Sequence, residues 1–114
     1  MASAQHSLAR SAPIFAALGD ETRLRLVARL CSGGPQSIAD LTSGATVTRQ
    51  AVTKHLRVLE AAGIARGVRK GRESRWELAP GKLDAARRYL DRIAQQWERR
   101  LAALERHLDE MPDG

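Results

Sequence analysis

The chain of 114 residues contains one cysteine, Cys31, so no disulfide can form within it. A fold stapled by disulfides is excluded, and a lone thiol fits a reducing compartment. No stretch approaches the ~18 apolar residues of a membrane span. The N-terminal residues lack the apolar core of a signal peptide. The expectation is a cytoplasmic protein with no membrane association. Internal repeats, low-complexity tracts and linkers are missing too. So are a nucleophile paired with a base, a glycine-rich phosphate loop and a carboxylate pair in a plausible cleft. Their absence speaks against an enzyme.

Apolar residues make up 43% of the chain, enough for one domain with one core. The formal net charge is +6. Residues 48 to 75 hold Arg49, Lys54, Arg57, Arg66, Arg69, Lys70, Arg72 and Arg75 against Glu60 and Glu73. The remaining residues carry 11 basic and 11 acidic groups, which cancel. The whole surplus therefore lies in one segment, as expected of a footprint for a polyanion. Charge considered alone also fits a solvated basic face with no partner.

Residues 46 to 63 explain where that charge sits. Val52, Leu56 and Leu59 recur at helical spacing, flanked by Ala51, His55 and Val58. Thr48, Arg49, Gln50, Thr53, Lys54 and Arg57 occupy the other face, with no acidic residue among them. Gly63 stands where a helix-ending glycine belongs. The reading is a recognition helix beginning at Thr48.

Upstream, residues 1 to 10 are small and polar, and fraying is expected at the start. A helical pattern starts at Ser11, with Pro13 suited to its first turn. Ile14, Phe15, Ala17 and Leu18 form its apolar face, and Gly19 breaks it. Asp20 is a good N-cap for a second helix over 21 to 31. There Leu24, Val27, Ala28 and Leu30 are expected inward, and Arg23, Arg25 and Arg29 outward. Gly33-Gly34-Pro35 ends it. Ser37-Ile-Ala-Asp40 reads as a capping box opening a short helix over about 38 to 43, with Ile38, Ala39 and Leu41 inward and Gly44 after it. A short helix, a tight turn and a basic second helix make a helix-turn-helix over about 37 to 63.

A hairpin follows over about 64 to 79, with strands Ile64 to Arg69 and Glu73 to Leu78. Ser74, Trp76 and Leu78 alternate with Arg75 and Glu77. Trp76 and Leu78 are assigned to the core. Arg69, Lys70, Arg72 and Arg75 crowd the tip, which makes the hairpin a wing that can reach DNA backbone or the minor groove. After Pro80-Gly81, a long helix runs from about Lys82 to about Met111. Leu83, Ala86, Leu90, Ile93, Trp97, Leu101, Leu104, Leu108 and Met111 form its stripe, at steps of three and four. At ~1.5 Å per residue it is about 45 Å long, more than a small winged helix can cover. Burying each exposed side chain of the far half is worth about 1.5–3 kcal/mol. The same helix of a second subunit is the simplest cover. The expected dimer interface comprises Phe15, Leu90, Ile93, Trp97, Leu101, Leu104 and Leu108. The fold class is mainly α with a small β-hairpin, an α+β winged helix-turn-helix forming a single domain over 1–114.

In this order, the segments resemble the ArsR/SmtB-type winged helix-turn-helix repressors of bacteria over about residues 11 to 108. Phe15-Ala-Ala-Leu-Gly-Asp-Glu-Thr-Arg23 is similar to that family's opening F-x-A-L-x-D-x-T-R. Val52-Thr-Lys-His-Leu-Arg-Val-Leu-Glu60-Ala-Ala-Gly63 is similar to its V-S-x-H-L-x-x-L-x-x-A-G-L-V. The stretch from Trp97 to Leu108 resembles a branch of the family without metal sites. The resemblance implies a dimeric transcriptional repressor, often of its own operon. It places Thr48, Arg49, Gln50, Thr53, Lys54 and His55 on the DNA-reading helix. Family members often carry Gln where Arg49 stands, so the base preference is expected to differ.

On double-stranded DNA, Arg49 and Gln50 suit bidentate contacts to guanine and adenine. Thr48 and Thr53 suit phosphate or a thymine methyl group. Lys54, Arg57 and the wing cations Arg69, Lys70, Arg72 and Arg75 suit phosphates. His55, near the inner edge of the helix, leaves packing and phosphate contact both open. A dimer reads a pseudo-palindrome with half-sites about one turn apart.

The family's metal-ligand sets are not matched. Ser37-Ile-Ala-Asp-Leu41 offers no thiol, and an Asp-x-His pair is absent from the last helix, since Ala86 stands two residues after Asp84 and Ile93 two residues after Asp91. His107 stands alone and His6 lies near the N-terminus. Tetrahedral zinc wants three or four ligands, so no metal or cofactor is expected. Cys31, at the end of the second helix, is expected to be a buried, inert thiol. A redox role needs a lowered pKa or a second thiol. Two alternatives stand beside the repressor: a winged-helix protein-interaction module, and a metal- or thiol-responsive repressor using intersubunit sites. The sequence names no small-molecule effector.

Overall fold

A computed structural model describes residues 2–44 and 46–112, with side chains from residue 8 onward. The element order is α1 (Ala2–Leu18), α2 (Glu21–Gly33), α3 (Ile38–Thr42), α4 (Arg49–Ala61), β1 (Ala65–Lys70), β2 (Glu73–Leu78) and α5 (Pro80–Glu110). This is a winged helix-turn-helix, mainly helical with one antiparallel hairpin and a long C-terminal helix.

Local chemistry sets most of the boundaries. The Asp20 carboxylate accepts from the Arg23 backbone N–H at 3.0 Å and caps α2. Ser37 and Asp40 form the reciprocal capping box of α3, at 3.1 and 3.2 Å. The Thr48 hydroxyl oxygen accepts from the Ala51 N–H at 3.1 Å and caps α4. At the other end of α4, Gly63 takes φ +77°. Its N–H donates to Glu60 O and the Ile64 N–H to Leu59 O, both at 2.9 Å. That is the two-bond Schellman termination, sealed by the buried pair Leu59 and Ile64. It aims the chain from α4 directly into β1.

The hairpin pairs Ala65 with Leu78, Gly67 with Trp76 and Arg69 with Ser74 on one face. Arg66 pairs with Glu77, Val68 with Arg75 and Lys70 with Glu73 on the other. The loop is Gly71-Arg72, with Gly71 at φ +65°, the sign needed at the first position of a tight II′-type loop. A single bridge extends the sheet: Gln36 and Trp76 exchange backbone bonds at 3.0 and 2.7 Å. The wing is thereby tied to the segment between α2 and α3. The core gathers Ile14, Leu26, Leu30, Leu41, Val52, Leu56, Leu59, Ile64, Trp76 and Ala86.

Several expectations are corrected. The first helix begins at Ala2 rather than Ser11, so Pro13 lies inside it. Packing of α1 against α5 outweighs the one backbone bond that an exposed proline removes. In α2 the inward residues are Leu26 and Leu30, while Leu24 and Ala28 are exposed. Arg23 and Arg29 are half-buried, not outward, because each guanidinium finds carbonyl acceptors. Arg23 donates to Ala17 O at 2.6 Å and Ala16 O at 3.4 Å. Arg29 donates to Leu41 O at 2.7 Å and Asp40 O at 2.8 Å. Both thus bond the last-turn carbonyls of a neighbouring helix, where a cation is favourable. Cys31 is exposed, not buried, because the helical step of about 100° after Leu30 turns it off the face that carries Leu26 and Leu30. Ala39 is exposed as well. The long helix α5 starts at Pro80 rather than at about Lys82, since an N-terminal helical position needs no N–H.

Only the start of α5 meets the core. Leu83 and Ala86 pack inward, and Phe15 of α1 lies against Tyr89 with ring centroids 6.2 Å apart. Every residue from Leu90 to Pro112 is exposed. The helix projects, and the chain measures 74 × 33 × 20 Å.

Candidate nucleic-acid interface

The buried stripe Val52, Leu56 and Leu59 fixes the rotation of α4 about its axis. With those residues inward, Thr48, Arg49, Gln50 and Lys54 are exposed and Thr53 is half-exposed. Thr48 already uses its hydroxyl oxygen as the cap, which leaves its O–H free to donate. Thr53 donates its hydroxyl to Arg49 O at 2.8 Å, so lone pairs and a methyl group remain to face outward. Arg49 and Gln50 stand in the first turn, where the unpaired helix amides favour an anion alongside them.

His55 sits lower on the helix. Its Nδ1 lies 3.4 Å from Arg23 Nη1 and 3.9 Å from Asp20 Oδ2. A guanidinium only donates, so its contact with Nδ1 calls on the ring lone pair. The Arg23 backbone N–H holds the Asp20 carboxyl below its ordinary range, opposed by desolvation and aided by the Arg23 charge. Asp20, Arg23 and His55 therefore join the start of α2 to the middle of α4. For Arg23 and His55, 32 residues apart, no local pattern signals the contact.

The acids of this region are already engaged. Glu60 pairs with Arg57 at 3.0 Å, Glu73 with Arg75 at 3.0 Å and Glu77 with Arg66 at 2.7 Å. Arg57 also lies over the Trp76 ring, 5.5 Å from its centroid. Among the described residues, the side chains of Arg49, Lys54, Arg69, Lys70 and Arg72 make no hydrogen bond or ion pair. Local neutralisation thus removes Arg57, Arg66 and Arg75 from the surplus. It leaves free cations in the first half of α4 and at the wing tip. Arg69 lies on the same sheet face as Trp76, whereas Lys70 and Arg75 share the opposite face. The arginines expected at the tip therefore do not form one cluster.

The residues expected at a dimer interface divide in the same way. Phe15 is half-buried within the chain. Leu90, Ile93, Trp97, Leu101, Leu104 and Leu108 form an exposed apolar stripe on α5. Among the described residues, no three or more His, Cys, Asp or Glu side chains come together in a group able to hold a metal ion. No described helix is long and apolar enough to cross a membrane.

Residues 18–68 match a family model described as a helix-turn-helix domain. HTH-type transcriptional regulator Rv2034 of Mycobacterium tuberculosis (strain ATCC 25618 / H37Rv) is 35% identical over 97 residues, covering 85% of this chain and 87% of that protein. The solved structure of an ArsR-like transcriptional regulator from Rhodococcus sp. RHA1 superposes with a TM-score of 0.80 at 39% identity, covering 93% of this chain and 99% of that one. An ArsR family transcriptional regulator, RHA00566, gives a TM-score of 0.69 at 28% identity, covering 78% and 91%. These relatives are transcriptional regulators, not enzymes.

Proposed function

The chain belongs to the ArsR-like helix-turn-helix transcriptional regulators, and from that membership we propose that it is a homodimeric repressor binding a pseudo-palindromic operator. Regulators of this family bind DNA. The finer reading is that residues 1–114 act as one domain in the cytoplasm, with α4 in the major groove and the wing on the flanking backbone. Occupancy of an operator inside a promoter then blocks transcription.

The observation that carries this reading is the distribution of unpaired cations. Arg49, Lys54, Arg69, Lys70 and Arg72 have no carboxylate partner among the described residues. They lie on the helix and the hairpin that this architecture presents to DNA. Arg49 and Gln50 are assigned to base edges, where bidentate geometry distinguishes guanine and adenine. Thr48 and Thr53 are assigned to phosphate or a thymine methyl group. Lys54, Arg69, Lys70 and Arg72 are assigned to phosphates, with Arg75 and His55 at the margin. The exposed stripe of α5 is assigned to the subunit interface.

A gel-shift titration against the protein's own promoter tests the reading. If four cations per subunit each neutralise one phosphate, a dimer has a slope of about −7 in log K against log salt. Affinity then drops roughly 10⁴-fold between ~50 and ~200 mM salt, while specific binding persists over competitor. No binding to that promoter or to DNA selected from random pools would sink the proposal.

A further inference from the structure

Arg57 differs from the other cations of α4. Its guanidinium carbon lies 5.5 Å from the centroid of the Trp76 ring, and its Nη1 is 3.0 Å from Glu60 Oε1. Trp76 is itself fixed from several directions. Its backbone N–H donates to Gln36 O at 2.7 Å, and its carbonyl accepts from the Gln36 N–H at 3.0 Å. Its indole runs across Gly67, where a built Cβ would meet Cη2 and Cζ2 at 3.9 Å. Only 5% of the residue is exposed. Trp76 therefore belongs to the wing and to the segment between α2 and α3 at once, and Arg57 belongs to the recognition helix.

We infer that Arg57 is a positioning residue that seats α4 on the wing rather than a contact to DNA phosphate. The inference rests on the DNA-binding reading above. A cation over an indole face is held by the ring quadrupole, and a planar guanidinium can stack there. Glu60 meets the charge from the side and reduces what Arg57 has left to offer a phosphate. The contact sets the angle between helix and hairpin. With that angle held, Arg49 and Gln50 reach base edges while Arg69, Lys70 and Arg72 meet the adjacent backbone. The sequence pattern could not separate Arg57 from Lys54, because both stand on the outward side of the same helix.

Salt dependence separates the two roles. A phosphate contact contributes about 0.9 to the slope of log K against log salt for each bound subunit. Fluorescence anisotropy with labelled promoter DNA, repeated across salt concentrations, reads this slope. For Arg57→Gln we expect several-fold weaker binding at every salt concentration with an unchanged slope. Arg72→Gln, in the same assay, should reduce the slope by about 0.9 per subunit. In the free protein, NMR should find the Arg57 side-chain protons shifted upfield by the Trp76 ring. The Trp76 indole N–H resonance should move in Arg57→Gln. A slope loss of about 0.9 per subunit for Arg57→Gln overturns the inference and leaves the DNA reading standing. Unshifted Arg57 protons in the free wild type also overturn it, independently of how the variant folds. A wild type that binds no DNA removes the underlying reading itself, and the inference with it.

Discussion

Leu104→Asp is the sharpest perturbation of the proposed subunit interface. Leu104 lies on the projecting part of α5, far along the helix from Ala86, the last buried residue. The substitution therefore spares the winged core. Trp97 is 61% exposed, Leu101 42%, Leu104 52% and Leu108 57%. Full burial of such a side chain is worth about 1.5–3 kcal/mol, so covering the remaining half yields about 1 kcal/mol. In a two-fold dimer each residue counts twice, so Leu104 contributes about 2 kcal/mol. The variant loses that contribution and brings two carboxylates into a closing apolar seam. Each unpaired polar group costs about 1–3 kcal/mol. The total is at least about 4 kcal/mol, or roughly a thousand-fold in dimer dissociation constant. Sedimentation equilibrium over a concentration series reads this directly. Circular dichroism and urea unfolding should confirm that the variant remains folded. A variant that dimerises like the wild type would refute the assignment of this stripe. So would a wild type that stays monomeric at concentrations of roughly 100 μM, far above those at which a seam of several such side chains should close.

Three further outcomes follow from the geometry. Arg49→Ala should relax base specificity at one position by about 1–3 kcal/mol, whereas Arg72→Ala should weaken binding evenly across sequences; binding to a set of single-base operator variants separates the two. Gly63→Ala should destabilise the fold in urea by at least the ~1–2 kcal/mol of a left-handed non-glycine residue. Its Cβ would also stand 2.8 Å from Lys82 Cγ, so adding Lys82→Ala should recover the steric part and not the backbone part. Asp20 has a folded-state pKa held below its ordinary 3.8. Its contribution is therefore present above that ordinary value and is lost as pH falls through the lower folded value. Urea unfolding of wild type and Asp20→Asn, which retains a capping side chain, should converge on acidification through this window. A gap that widens instead would refute the assigned role.

Much of the architecture was legible because its signals are local. Asp20, the Ser37/Asp40 box and Gly63 each satisfy backbone groups within a few residues, so their roles can be read from neighbours in the chain. The stripe of α4 was equally plain, since Val52, Leu56 and Leu59 need only the helical period to be placed inward. Failures arose where distant groups compete. In α2 the expected register turned Arg23 and Arg29 outward, yet carbonyls from α1 and α3 draw both inward and leave Leu24 outside. Cys31 went astray for the same reason, because the true inward face of α2 is the one carrying Leu26 and Leu30.

The amino-acid sequence alone determined the order of helices, the wing, the clustering of positive charge and the long apolar stripe. Caps, periodicity and composition are properties of nearby residues and survive any change in packing. Tertiary structure alone decided which cations remain unpaired. Pairing needs Glu60 beside Arg57, Glu77 across the ladder from Arg66, and Trp76 anchored to Gln36 beneath the guanidinium. Those juxtapositions are set by how α4 docks on the hairpin, and charge counting along the chain cannot see them.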